Sequence, residues 1–332
     1  MTDNRDVAAA KRLIDNAREI LVITHVGPDG DAISSLTATG VALRQLGKRF
    51  TLACDDGAPV RFEYLPLYEQ IQRHVDPAVA YDLVIALDCG DMSRMGQAYA
   101  NLPSPPPIIN IDHHVTNTRF GDVNIVNSDC TSAAELLFHL FPALGVRLTP
   151  ELATCLLTGV VTDTLGFRIP GVNAETFRTA STLMEAGADL GFITLNALLI
   201  KPMSTLRLWQ AGLNHMRLEE EGVLWTAIDD REREAAGYTG SSSGGLVNML
   251  ANIDEATMSA VLIEEGDKVY VGFRCRPPYS VAELALNLGG GGHPLASGAT
   301  LEGPLHKAVS LVVSMARENI RQQRALLRES AG

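Results

Sequence analysis

In the first half of the chain, short apolar runs alternate with stretches of helical periodicity. The runs ILVIT (20–24), FTLAC (50–54), LVIAL (83–87) and IINI (108–111) are continuous rather than alternating. Continuous runs of this length read as strands buried on both faces, so they predict a parallel sheet covered by helices. The intervening patterns supply those helices. An amphipathic stretch ends at Arg18, a second runs from Ala32 to Leu46, and a third from Ser132 to Phe141 has Ser132 and Glu135 at capping-box spacing. The predicted class is α/β, with an N-terminal doubly wound, mainly parallel sheet.

Between Gly187 and Leu206 the pattern loses its regularity around Pro202, and beyond it the runs change character. The segments 222–229, 256–265 and 268–276 read as strands of a mixed sheet, GSSSGG (240–245) as a loop, and 306–328 as a terminal helix. The expected organisation is a catalytic domain over 1–188, a connector over 189–206 and a smaller α/β domain over 207–332.

Composition narrows the function. At 332 residues the chain is long enough for two cores, and with 5% aromatics those cores must be mainly aliphatic. A net charge of −12 argues against a grip on long duplex nucleic acid, which needs a basic surface to neutralise phosphates. Nucleotides or short oligomers held by a few arginines and cations remain compatible. The five cysteines are scattered and odd in number, which reads as reduced thiols in a cytoplasmic protein. No apolar run approaches the ~18 residues that span a bilayer, so no membrane partner is expected.

The chemistry lies where the apolar runs end. His25, Asp29 and Asp31 follow the first run, Asp88 and Asp91 the third, Asp112, His113 and His114 the fourth, and Asp163 follows TGVVT. Open parallel sheets bind ligands at the carboxyl ends of their strands, so these groups are expected on one edge. Each alone has a plainer reading: Asp29 or Asp88 as a helix cap, Asp112-His113-His114 as a surface loop. Together they would set several buried carboxylates side by side, which is costly unless cations neutralise them. Mixed His/Asp donors suit Mn²⁺, Zn²⁺ or Fe²⁺, and a carboxylate shared by two ions ~3.5–4 Å apart is the arrangement of phosphoryl-transfer sites. Asp91 reads equally as a helix cap or a contact to metal-bound water. His74, His139, His215 and His306 read as structural or surface residues.

In the second half, strand alternation over KVYVGFRCR puts Tyr270, Arg274 and Arg276 on one face, where two arginines can grip a phosphate. The run GGGGH (289–293) can bring backbone N–H groups of Gly291 and Gly292, and the His293 ring, close to an anion.

The segments THVGPDGDAISS, ALDCGD, IDHHVTN and TGVVTDTLGFR, in that order, resemble the four motifs of the DHH phosphoesterase family. GFRCRPPYSVAELALNLGGGGHPLASGA resembles the signature of the DHH-associated C-terminal domain. The resemblance spans nearly the whole chain and is strongest to the stand-alone nano-RNase/pAp-phosphatase type. It implies a hydrolase of short oligonucleotides and of 3′-phosphoadenosine 5′-phosphate (pAp) that uses two divalent ions, typically Mn²⁺. It also implies that His25 and Asp29 bind one ion, Asp31 the other, that Asp88 bridges them, and that His113 and Asp163 complete the second site. His114 is implied to face the substrate, Asp112 to orient an imidazole, and Arg274, less securely Arg276, to bind substrate with Gly291, Gly292 and His293. The second domain would then measure substrate length, in a cleft where Arg274 and His293 anchor one end. Family members of this type are often dimeric, which makes a homodimer an expectation. Competing expectations are a cyclic di-AMP or linear dinucleotide phosphodiesterase, an inorganic pyrophosphatase, and a nucleotide sensor with an inactive site.

Overall fold

The computed structural model describes residues 4–240 and 242–330. Residues 1–3 of the expected opening helix, residue 241 of the GSSSGG loop and residues 331–332 lie outside the described residues. The chain divides into two compact units, Met1–Ile200 and Lys201–Gly332.

In the first unit, β1 (Glu19–Thr24), β2 (Arg49–Ala53), β3 (Ile71–Gln72), β4 (Leu83–Leu87), β5 (Ile108–Asp112) and β6 (Val123–Val126) form one sheet. All their pairings are parallel and the order is β3-β2-β1-β4-β5-β6. The sheet and its class match the expectation. β3 and β6 were not legible as strands, because one has two residues and the other alternates weakly. The chain leaves β1 for one side of the sheet and returns on the other as β4. The loops after β1 and β4 therefore open side by side at the point where the strand order reverses.

The helices are α1 (Asn4–Asn16), α2 (Gly30–Gln45), α3 (Gly96–Ala100), α4 (Ala133–Leu144), α5 (Pro150–Asp163), α6 (Ala174–Glu185) and α7 (Leu190–Thr194). Residues 20–24 of β1 and all of β4 and β5 are buried, packed between two apolar clusters. Each fully buried Leu or Ile adds ~1.5–3 kcal/mol. Many such residues brace the strand ends, enough to hold polar groups there in unfavourable surroundings.

The expected capping box at α4 forms by half. Ser132 Oγ accepts from Glu135 N at 3.0 Å, but the Glu135 carboxylate turns instead to Thr131, accepting from its N and Oγ1. The segment expected to place Asp163 after a strand is a helix. Thr149 caps α5, Pro150 opens it, and its apolar residues fall at helical spacing against the core. The β-branched stretch VVT carried a misleading strand signal. α2 and α5 pack closely, because Gly30 leaves room for Thr162 and Gly159 for Ala134 and Asp31. A Cβ on Gly159 would lie 2.4 Å from Ala134 Cβ and 2.6 Å from Asp31 Oδ1.

The stretch expected as a connector, 189–206, is mostly absorbed into the units. Ile193 and Ala197 are buried in the first core, and Pro202 opens the first helix of the second unit, α8 (Met203–His215). That unit carries β7 (Arg217–Leu218), β8 (Val223–Ile228), β9 (Met258–Glu265), β10 (Lys268–Cys275), β11 (Gly291–His293) and β12 (Ala296–Glu302), in the order β11-β12-β10-β9-β8-β7. β8 and β9 are parallel and the other pairings antiparallel, so the sheet is mixed. The helices α9 (Asp230–Ala235), α10 (Leu246–Leu250), α11 (Ala282–Asn287) and α12 (Leu305–Ser330) complete it. The burial of β10 alternates as expected, with Val269, Val271, Phe273 and Cys275 inward. No helix among the described residues is long and apolar enough to cross a membrane.

Candidate metal centre

The loops at the switch point bring together the side chains singled out after β1, β4 and β5, and the C-terminus of α5 adds Asp163. Asp88, one residue beyond β4, sits at the middle. Its backbone is left-handed, φ 57°, and the residue is 3% exposed. A left-handed non-glycine residue costs ~1–3 kcal/mol and is a mark of functional strain. Around the Asp88 carboxylate, His25 Nε2 lies 3.5 Å from Oδ2, while His113 Nε2 and His114 Nδ1 lie 3.6 and 3.5 Å from Oδ1. All three distances exceed hydrogen-bond length. Among the described residues Asp88 Oδ1 has no hydrogen-bond partner despite complete burial.

Two sets of donors meet there. In one, His25, Asp29 and Asp88 each offer an atom within 4.8 Å of the others; in the second, Asp31, His113 and Asp163 do the same. Asp88 also falls in a third set with Asp112, His113 and His114. Asp29 is the most exposed of these residues and also caps α2, accepting from Ala32 N at 3.0 Å. Asp31 is buried, and its two oxygens accept from Ala133 N and Ala134 N in the first turn of α4 and from Ser35 Oγ. Backbone donors at a helix start thus anchor the one carboxylate. Asp163 Oδ2 lies 3.3 Å from His113 Nε2.

Burial, followed by mutual repulsion, dominates the electrostatics. It pushes the Asp31 carboxyl up to about 7, with Asp29 adding to the effect and the α4 amides opposing it. Asp88 and Asp163 are raised well above the usual carboxylate range by burial and then by neighbouring aspartates. Burial also lowers His25, so its imidazole stays neutral and able to donate a lone pair. Three raised carboxylates, neutral nitrogen and an orphaned oxygen on Asp88 are what a site shaped for divalent cations looks like without their charge. The donor set fits the ions implied by the sequence.

Asp112 and His114 stand apart electrostatically. Asp112 is fully buried, yet its carboxyl is lowered: burial opposes ionisation, but the bonds to His114 Nδ1 at 2.8 Å and Asn117 Nδ2 at 2.5 Å, with the nearby His114 and His113 rings, outweigh it; the His113 amide also donates to it at 2.8 Å. Burial disfavours the His114 cation, but the same bond to Asp112 raises its pKa overall. Asp112 thus fixes the His114 ring and favours its charged form. Asp91 belongs to none of the donor sets; its carboxylate caps a 3₁₀ turn, accepting from Ser93 N, Ser93 Oγ and Thr118 Oγ1. The geometry favours the cap.

In the second unit, Arg274 lies on β10, half-buried, and donates to Phe273 O. Arg276 has a structural contact of its own. It falls beyond the end of β10, and its Nη2 is spent on the carbonyls of Ile253, Asp254 and Ala256, so it ties down a turn. The glycine run also has a structural use. Cβ atoms on Gly290 or Gly292 would strike the backbone of β12, whereas Gly291 faces open space. The last three residues of the run form strand β11, with His293 exposed at its end.

Sequence reasoning passed over Asn117, which donates to Asp112 and to Cys89 O, and Arg94, whose guanidinium lies 3.0 Å from His25 Nδ1. Asn117 stands four residues after His113 inside the IDHHVTN segment, and that proximity was the available signal. Arg94 had none.

Comparison with known proteins identifies the family. The model of the DHH family N-terminal domain matches residues 19–160, and that of the DHHA1 domain matches residues 223–322. The chain is 35% identical over 303 residues to the bifunctional oligoribonuclease and PAP phosphatase NrnA of Thermus thermophilus, covering 91% of this chain and 90% of that one. Its namesake from Bacillus subtilis is 27% identical, covering 85% and 89%. An exopolyphosphatase-related protein from Bacteroides fragilis shares the fold with a TM-score of 0.87, 24% identity and 99% coverage of both chains. RecJ from Thermus thermophilus, solved in complex with Mn²⁺, is a more distant likeness, at TM-score 0.56, 15% identity and coverage of 96% and 54%. Given both domains in order and a relative of this identity across most of its length, the chain belongs to the DHH phosphoesterase family.

Proposed function

We propose that this protein hydrolyses short oligoribonucleotides from an end, and also pAp, with a pair of divalent cations, Mn²⁺ foremost. The observation that carries the reading is Asp88: a buried, left-handed aspartate with an unpartnered oxygen, ringed by three imidazole nitrogens. His25 and Asp29 would hold one ion, Asp31, His113 and Asp163 the other, and Asp88 both. Bound there, such ions acidify a water and absorb charge on a phosphate. The relatives from Thermus thermophilus and Bacillus subtilis, both named as oligoribonuclease and PAP phosphatase, support both substrates.

The chain's own residues complete the chemistry. The α4 amides and Ser35 hold Asp31 in place. Asn117 and the His113 amide hold Asp112, which in turn holds the His114 Nδ1–H. With the proton of its charged form on Nε2, His114 donates a hydrogen bond to the scissile phosphate or leaving oxygen. Arg274 binds a phosphate of the substrate, with Gly291 and His293 alongside.

The test is hydrolysis of a length series of 5′-labelled oligoribonucleotides with Mn²⁺, beside pAp and cyclic di-AMP. Turnover should be fastest for the shortest oligomers and should include pAp. Preference for cyclic di-AMP, or for long strands, would overturn the substrate assignment.

A further inference from the structure

Arg94 occupies an unusual position for a cation. It lies on the 3₁₀ turn Met92–Met95, capped by Asp91, just after the β4 loop. Its carbonyl accepts from Val26 N at 2.8 Å, which docks the turn against the loop that carries His25. The side chain is exposed, and Nη2 reaches to 3.0 Å from His25 Nδ1. Although it borders a cluster of aspartates, Arg94 forms no ion pair with any carboxylate among the described residues. A guanidinium carries five donors, so most of its hydrogen-bonding capacity is directed elsewhere than the protein.

The contact with His25 is itself conditional. Nδ1 lies 2.9 Å from Val26 O as well as 3.0 Å from the guanidinium. With its proton on Nε2, the ring accepts from Arg94, but the edge facing Asp88 and Asp29 becomes a donor and cannot ligate. With its proton on Nδ1, the ring donates to Val26 O and offers the Nε2 lone pair toward Asp88 and Asp29. A protonated Nδ1 cannot accept from Arg94. The tautomer that suits a cation therefore leaves the guanidinium without its acceptor, at the rim of the site.

We propose that Arg94 is a substrate-binding residue: in the ligating tautomer of His25 its guanidinium turns to a non-bridging oxygen of the substrate phosphate. The chemistry recognised is a phosphate oxyanion, which a planar guanidinium grips through paired N–H groups. This rests on the reading of the site as a phosphoesterase centre.

The experiment compares wild type, Arg94→Ala and Arg94→Lys. It measures Mn²⁺ affinity by calorimetry, inhibition by inorganic phosphate, and the split between KM and kcat on a short oligoribonucleotide. Loss of a charged hydrogen bond predicts that Arg94→Ala weakens phosphate inhibition and raises KM by roughly 10- to 100-fold, with Mn²⁺ affinity unchanged. Arg94→Lys, which keeps the charge without the planar fork and preserves the fold if alanine does not, should recover part of the phosphate inhibition. Unchanged phosphate inhibition in both variants overturns the proposal. So does a loss of Mn²⁺ affinity that accounts for the whole effect, because Arg94 would then only orient His25. If wild type itself neither binds Mn²⁺ nor hydrolyses the oligomers, it is the phosphoesterase reading that fails.

Discussion

Asp88 in the first unit and Glu221 in the second are both nearly inaccessible carboxylates, 3% and 7% exposed, and they are treated in opposite ways. Glu221 is covered by cations rather than by core. Arg317 and Arg321 both donate to its carboxylate, and Arg324 donates to its carbonyl. Those bonds, Arg317's first, pull its carboxyl down to about 2. Asp88 meets other aspartates and imidazole rings rather than guanidinium groups, and burial pushes it up. A carboxylate that serves the fold has its charge matched within the chain. One that serves catalysis is left short of positive charge, and the surrounding apolar strands bear the cost.

The sharpest way to break this contrast is to neutralise each carboxylate. Asp88→Asn should abolish turnover while the Tm of the cation-free protein holds or rises, because crowding of like charge is relieved. Glu221→Gln should lower Tm and leave Mn²⁺ affinity unaltered. Thermal melts and Mn²⁺ calorimetry on both variants check it, and a large fall in the cation-free Tm of Asp88→Asn would contradict the contrast.

The two sites also predict opposite responses to pH. Asp31, Asp88 and Asp163 have raised values in the folded chain, Asp31 about 7. Between the ordinary carboxylate value and these raised ones, the folded chain binds more protons than the unfolded chain. In that window the cation-free protein loses stability as pH rises, and the Tm gain on adding Mn²⁺ grows. Glu221 has a lowered value, so its contribution is complete above its ordinary 4.5 and is lost as pH falls through about 2. Melting curves from about pH 5 to about pH 8, with and without Mn²⁺, test the first window. A Tm gain that is flat across it would count against the cluster.

Within the second unit the same distinction separates Arg274 from Arg276. Arg274→Ala should raise KM by roughly 10-fold or more with a smaller change in kcat. Arg276→Ala should instead lower Tm, because its guanidinium holds three carbonyls, and leave KM close to wild type. Steady-state kinetics on both variants decide it. The smallest effect belongs to Asp91→Ala. Loss of the cap on the 3₁₀ turn should cost ~1 kcal/mol in denaturant unfolding without changing Mn²⁺ affinity. A marked loss of Mn²⁺ affinity would return Asp91 to the centre.

Much of this was legible in the chain because parallel-sheet strands are buried on both faces. ILVIT, LVIAL and IINI could hardly be anything else, and the polar residues after them had to open on one edge. Asp163 was harder to place. Its chemistry was plain, but VVT resembles a strand, and only packing of α5 against α2 makes it a helix. The glycine run carries a packing role that was not legible. Gly290 and Gly292 are needed for the approach of β12, a strand whose own sequence, ASGATLE, gives little sign of itself. Arg94 and Arg276 are exposed arginines in polar segments, and nothing local separates one beside a histidine from one clamping carbonyls.

The central claim is that the carboxylates gathered around Asp88 exist to hold a pair of divalent cations. Calorimetric titration of Mn²⁺ into wild type and Asp88→Asn at the same pH tests it most directly. The account predicts two ions per wild-type chain and a severe loss of binding in the variant. Binding that is absent in the wild type, or undiminished in Asp88→Asn, would contradict it.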